Sequence, residues 1–145
     1  MSQSYPPLDE LMENFEILDD WEDRYRYLID LGKNLSGLSE EQKTEENKVR
    51  GCTSQVWIVH NVDHGAELPK VSFEADSDAF IVRGLVVVLL SAYSHRVPEE
   101  ILSLDIKLLF QRMGLERNLS FSRRNGFFSM VEKIRGVAQE HAERQ

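Results

Sequence analysis

The sequence predicts an α+β fold, a small antiparallel sheet packed against helices, in a single domain covering residues 1–145. Three observations predict it. Apolar residues recur at helical spacing toward both ends of the chain, and they alternate at period two between Gln55 and Ala75. No internal repeat, low-complexity tract or linker composition divides the 145 residues, a length that suits one core.

The first helix is read from Leu8, Leu11, Met12, Phe15 and Leu18, which fall on one face. Asp20 is placed to cap a second helix whose stripe is Trp21, Tyr25, Leu28, Gly32 and Leu35, with Glu22, Asp23, Arg24 and Arg26 on the solvated side. Ser36 to Asn47 is polar, contains Gly37, and reads as a loop with at most one irregular turn.

The period then changes. Gln55 to Val62 is a β-rich run with Val56, Ile58, His60 and Val62 on one face and Gln55, Trp57, Val59 and Asn61 on the other. Asp63, His64 and Gly65 supply turn chemistry, and Val71, Phe73 and Ala75 alternate with Lys70, Ser72 and Glu74 on the return. Pro69 belongs at the start or edge of that strand, because it cannot donate to a ladder. The sheet has three strands if the Lys48 region pairs, with helices covering it mainly on one face.

Asp76, Ser77 and Asp78 read as a helix-start cluster before Ala79 to Tyr93, a segment apolar nearly all round and hence the most buried helix. Pro98 opens a short helix through Ser103. Asp105 caps another from Ile106 to Met113, stopped by Gly114. Phe127, Met130, Val131, Ile134, Val137 and Ala138 define a long C-terminal helix.

Composition narrows the function classes. A net charge of −8 argues against a nucleic-acid backbone binder, which needs a basic footprint. Gly84 to Leu90, the longest apolar run, falls far short of the ~20 residues that span a bilayer, and residues Met1 to Pro7 do not read as a signal peptide. One cysteine forms no intrachain disulfide, so a cytoplasmic protein with a reduced thiol is expected. No metal site is expected either. On one continuing strand His60 and His64 would stand ~13 Å apart, and His95 and His141 are remote in sequence.

The chemistry concentrates in Asn47-Lys48-Val49-Arg50-Gly51-Cys52-Thr53-Ser54-Gln55-Val56-Trp57-Ile58. A cysteine after a glycine and before a strand sits where the chain turns, and a loop can move to present its side chain. A small buried hydrophobe is the competing reading of a lone cysteine. Arg50 and Lys48 supply positive charge that would favour thiolate if they faced the sulfur.

The segment Gly51 to Ile58 resembles the signature of the SufE family, sulfur acceptors of iron–sulfur cluster assembly. Asp76-Ser77-Asp78-Ala79-Phe80-Ile81-Val82-Arg83-Gly84-Leu85 and Leu119-Ser120-Phe121-Ser122-Arg123-Arg124-Asn125-Gly126 resemble two further family blocks in the same order. Three positions depart from the pattern. Arg50 stands where Pro is frequent, Thr53 where Gln is frequent, and Phe121 where Pro would open the last helix after its Ser120 cap.

The resemblance implies the SufE/NifU-like fold and a sulfur carrier rather than a stand-alone enzyme. In that mechanism Cys52 takes persulfide sulfur from a pyridoxal-phosphate cysteine desulfurase of the SufS or CsdA kind, stimulates it, and delivers the sulfur to a SufB-like scaffold. The chain itself would bind no cofactor; pyridoxal phosphate stays on the partner and the persulfide on Cys52 is transient. Family members are described as holding the unloaded sulfur in a shallow apolar cavity. Gly51, Ser54, Gln55, Asp76 and Arg123 are the loop or partner-contact candidates, with Asp76 read more simply as a helix cap. Trp57 is read as packing. Neither nucleic acid nor membrane is an expected partner, and dimerisation stays open.

Two other classes remain at this point. A hydrolase with Cys52 as nucleophile needs a nearby base, for which His60, His64 and His95 are the candidates. An interaction module would leave Cys52 incidental. A cluster scaffold is disfavoured, because one cysteine cannot supply its ligand set.

Overall fold

The computed structural model describes residues 5–52, 54–65 and 67–143. Thr53 and the first four residues, on which part of the reading above falls, lie outside the described residues. Chain order is α1 (Leu8–Ile17), α2 (Trp21–Asn34), a 3-10 turn (Glu40–Gln42), β1 (Val56–Asp63), β2 (Lys70–Ser77), α3 (Phe80–Tyr93), α4 (Pro98–Ser103), α5 (Ile106–Arg112), α6 (Leu115–Asn118) and α7 (Phe121–Glu143). The class is α+β, as expected.

Local chemistry sets most boundaries. The Asp20 carboxylate accepts the Asp23 N–H at 2.9 Å and starts α2. Asp105 does the same for Leu108 at 3.2 Å in α5, and the Ser120 hydroxyl accepts the Arg123 N–H at 3.2 Å in α7. The serine cap therefore survives with Phe121, rather than Pro, as the first helical residue. Gly114, at φ +74°, turns the chain out of α5 into α6, a four-residue helix that hydropathy spacing does not reveal.

β1 and β2 form a two-stranded antiparallel hairpin with Ile58 opposite Ala75 and Val59 opposite Glu74. The Lys48 segment does pair, but only as an isolated bridge to Trp57. The outer edge of β2 is closed at Val71 by a similar bridge to Arg96. Burial along β1 departs from strict alternation. Val56, Trp57 and Ile58 are all buried while His60 is exposed, because both sheet faces are covered at the start of the strand only.

α3 is the axis of the core: Ile81, Val82 and every residue from Gly84 to Tyr93 are buried. Each fully buried aliphatic side chain contributes about 1.5–3 kcal/mol, so this run dominates the apolar stabilisation. α2 crosses α3 at backbone contact, since a β-carbon on Gly84 would overlap the Leu28 carbonyl and one on Gly32 the Phe80 carbonyl. α7 lays Phe127, Met130, Val131, Ile134 and Ala138 on the same core. No helix among the described residues is long and apolar enough to cross a membrane.

The Asp76 cluster behaves differently from the helix cap expected. Asp76 and Ser77 end β2, and the residue before α3 is Ala79, with no side-chain cap. Asp76 is 4% exposed and pairs with Arg83 and, at 3.4 Å, with Lys43. It also accepts the Leu38 and Ser77 N–H groups. Arg83 in turn donates to the Gly32 carbonyl at 2.8 Å at the end of α2. One carboxylate thus ties the 36–43 segment, β2 and α3 together.

Candidate functional site

Cys52 rides on a short tongue with a hydrogen-bonded base. Val49 N–H donates to the Val56 carbonyl at 2.8 Å, and Ile58 N–H donates to the Asn47 carbonyl at 2.9 Å. A second closure joins the tongue to the start of α3. Gln55 N–H donates to the Asp78 carboxylate at 3.1 Å, and Asp78 N–H donates back to the Gln55 carbonyl at 3.3 Å. Gly51 takes φ +86°, and a β-carbon there would stand 2.7 Å from the Ser129 hydroxyl. Both constraints demand glycine.

The Cys52 side chain is half-buried against α7, and its thiol donates to the Gly126 carbonyl at 3.5 Å. The sulfur borders a cavity of about 30 Å³ lined by Ser54, Val82, Leu85, Ser122, Arg123, Gly126, Phe127 and Met130. A space of that size admits one small atom beside the sulfur, whereas pockets for organic ligands run to about 300–1,000 Å³. Four of its walls, Val82, Leu85, Phe127 and Met130, are apolar.

Burial pushes the Cys52 thiol above its ordinary pKa. The thiolate-favouring role suggested for Arg50 is not realised, because Arg50 faces Glu45 at 3.9 Å with its side chain 81% exposed. In this inward position burial favours the thiol over the thiolate.

Among the residues singled out from the sequence, Gly51, Cys52, Ser54 and Arg123 meet here. Gln55 is exposed, and its backbone bonds Asp78. Asp76 does not line the cavity; it belongs to the ionic tie described above. Burial would raise its carboxyl, but the Leu38 and Ser77 N–H groups and the Arg83 and Lys43 charges hold it below the usual carboxylate range. Trp57 packs, as expected, with the Lys43 ammonium 5.5 Å from its ring. Sequence reasoning missed Asp78 as the second anchor of the tongue and Gly126 as the floor beneath the sulfur. A glycine one residue before the apolar stripe of a helix was the available signal for a close approach.

Among the described residues, no histidine or carboxylate lines the Cys52 cavity. His60, His64 and His95 instead border a separate open cleft of about 740 Å³ along the hairpin. His60 also packs on His141 at 5.6 Å between ring centres, and His95 bonds Ser72 at 2.7 Å. The base that a cysteine hydrolase requires is therefore not supplied to Cys52 by any of these histidines. No group of three or more potential metal ligands occurs among the described residues.

Comparison with known proteins points the same way. Residues 9–138 match the family model SufE, described as an Fe-S metabolism associated domain. An uncharacterized SufE-like protein of Rhizobium etli is 53% identical over 135 residues, covering 93% of this chain and 91% of that protein. Another from Rhizobium meliloti is 47% identical over 132 residues, covering 91% and 94%. The solution structure of a hypothetical protein from Thermus thermophilus shares the fold, with a TM-score of 0.72 at 19% identity over 94% of this chain and 96% of that one. With most of its length matched by the family model, and with relatives this similar, the chain belongs to the SufE family, whose domain is associated with iron–sulfur metabolism.

Proposed function

We propose that the protein is a sulfur carrier: Cys52 accepts the outer sulfur of a persulfide held by a pyridoxal-phosphate cysteine desulfurase, stimulating that enzyme, and passes it to an iron–sulfur scaffold in the cytoplasm. The observation that carries the reading is the tongue itself. A lone thiol sits at the turn of a loop hydrogen-bonded across its base, touching α7 through its own bond to the Gly126 carbonyl, beside an apolar space with room for one more atom.

The chemistry follows from this arrangement. Inward, Cys52 is protonated and protected from oxidation, since both reactivity and oxidation track exposed thiolate. Outward, hydration lets the thiol lose its proton to solvent. The Cys52 thiolate then attacks the outer sulfur of the donor persulfide. A new S–S bond forms, the donor's S–S bond breaks, and the donor cysteine leaves as thiolate. No net oxidation occurs, because the sulfane sulfur only changes partner. On return, the added sulfur has the small apolar cavity to occupy. Removing persulfide from the desulfurase frees it for another turnover, which accounts for stimulation.

The test is alanine release from cysteine by the desulfurase, with and without this protein. Wild type raises the rate and Cys52→Ser does not. Equal stimulation by the serine variant would mean that the protein acts without carrying sulfur.

A further inference from the structure

α3 and α7, the two helices that wall the Cys52 cavity, each begin with a protruding phenylalanine: Phe80 is 54% exposed and Phe121 is 71% exposed. The Phe80 ring lies 5.9 Å from the Lys33 ammonium of α2, whereas Phe121 directly precedes Ser122 and Arg123 of the cavity lining. An exposed aromatic side chain of this size is costly unless a partner covers it. The Arg124 guanidinium lies 6.0 Å from the Phe121 ring centre, a cation–π contact. Neither Arg123 nor Arg124 has a carboxylate partner among the described residues. Arg50, on the tongue, meets only the exposed Glu45 at 3.9 Å. Arg123 on the cavity wall, with Phe121 and Arg124 flanking it in α7, therefore makes one edge of the site aromatic and basic on a chain whose net charge is −8.

We infer that Phe121, in cation–π contact with Arg124, is the docking anchor that selects the cysteine desulfurase, inserting into an apolar pocket bordered by carboxylates on that enzyme. The inference rests on the sulfur-carrier reading for the identity of the occupant. Sulfur transfer needs the two cysteines in contact, so whatever delivers sulfur must cover the residues around the Cys52 opening, and Ser122 and Arg123 in that rim directly follow Phe121. Charge complementarity specifies the rest, since unpaired arginines in an otherwise acidic protein favour an acidic face. Aromatic and arginine side chains are also the usual energetic centres of interfaces.

The experiment measures binding and transfer separately, using the cysteine desulfurase encoded in the same genome. Phe121→Ala and Phe121→Pro are compared with wild type, the proline variant keeping a residue suited to the first turn of α7. Both variants are expected to melt with wild type and to show the same Cys52 alkylation rate. Their half-saturating concentration for desulfurase stimulation should rise about tenfold or more at an unchanged saturated rate. Dissociation constants measured with the Cys52→Ser background should rise by the same factor, and added salt should weaken wild-type binding. Unchanged half-saturation, or a fall confined to the saturated rate, overturns the anchor while leaving the carrier reading intact. Phe121-dependent binding without any sulfur on wild-type Cys52 keeps the anchor and overturns the carrier reading.

Discussion

The Cys52 sulfur rests 3.5 Å from the Gly126 carbonyl, and a β-carbon on Gly126 would lie at the same 3.5 Å from that sulfur. The glycine therefore leaves one methyl-sized space beneath the thiol. It sits in the interior of α7, where glycine is disfavoured by about 1 kcal/mol relative to alanine. A residue that costs helix stability at the point of contact with the reactive atom is consistent with space being needed there.

Gly126→Ala is accordingly expected to stabilise the unloaded protein by about 0.5–1 kcal/mol, because the new contact is an ordinary van der Waals distance. The same methyl group takes room from an added sulfur. Chemical denaturation should show the gain, and persulfide on Cys52 should be lost faster to a small thiol reductant than in wild type.

Asp78 holds the tongue by its carboxylate as well as its backbone. Asp78→Ala should raise the alkylation rate of Cys52 several-fold near neutral pH, while Asp78→Asn, which keeps an acceptor oxygen, should stay near wild type. The pH profile gives a second reading. Burial raises the Cys52 thiol, so wild-type alkylation should inflect above the ordinary thiol value of about 8.5, and the alanine variant should move back toward it. Coincident profiles would exclude a restraining role for Asp78.

Asp76 is a matter of stability instead. Replacing it by Asn leaves Arg83 and Lys43 without their buried counter-charge, and breaking a buried pair costs about 3–5 kcal/mol. Its folded-state pKa is lowered, so its contribution is fully present above the unfolded carboxyl value of about 3.9 and is lost as pH falls through the folded value. Urea midpoints from pH 7 to pH 3 should fall with pH in wild type more steeply than in Asp76→Asn, which lacks that component.

The Tyr93 hydroxyl is fully buried with no hydrogen-bond partner among the described residues, and burial pushes its pKa to about 12. Tyr93→Phe removes the unsatisfied group while keeping the ring. It should be neutral or stabilising by about 1 kcal/mol in thermal melts, where most core changes destabilise.

What was legible in the sequence was whatever short-range spacing encodes. The α3 run, the Asp20, Asp105 and Ser120 caps, the hairpin and the placement of Cys52 at a turn all follow from residues within a few positions of one another. The missed features join distant segments. Asp76 reads as a cap locally, yet its partner Leu38 lies 38 positions away, and Gly126 meets Cys52 across 74 positions. The same limit applies to the sheet. Alternation put His60 on one face with Val56 and Ile58, but how far that face is covered depends on the helices and loops that reach it, and α7 meets His60 with polar side chains such as His141. Lys48 was legible as a pairing residue, whereas the length of its pairing was set by the turn of the tongue that follows.

The most direct measurement is the intact mass of this protein after a single turnover with a desulfurase supplied with labelled cysteine. The account predicts one labelled sulfur on Cys52, removed by a thiol reductant and absent from Cys52→Ser. An unlabelled wild-type chain beside a desulfurase that has released its sulfur, or label retained in Cys52→Ser, would contradict it.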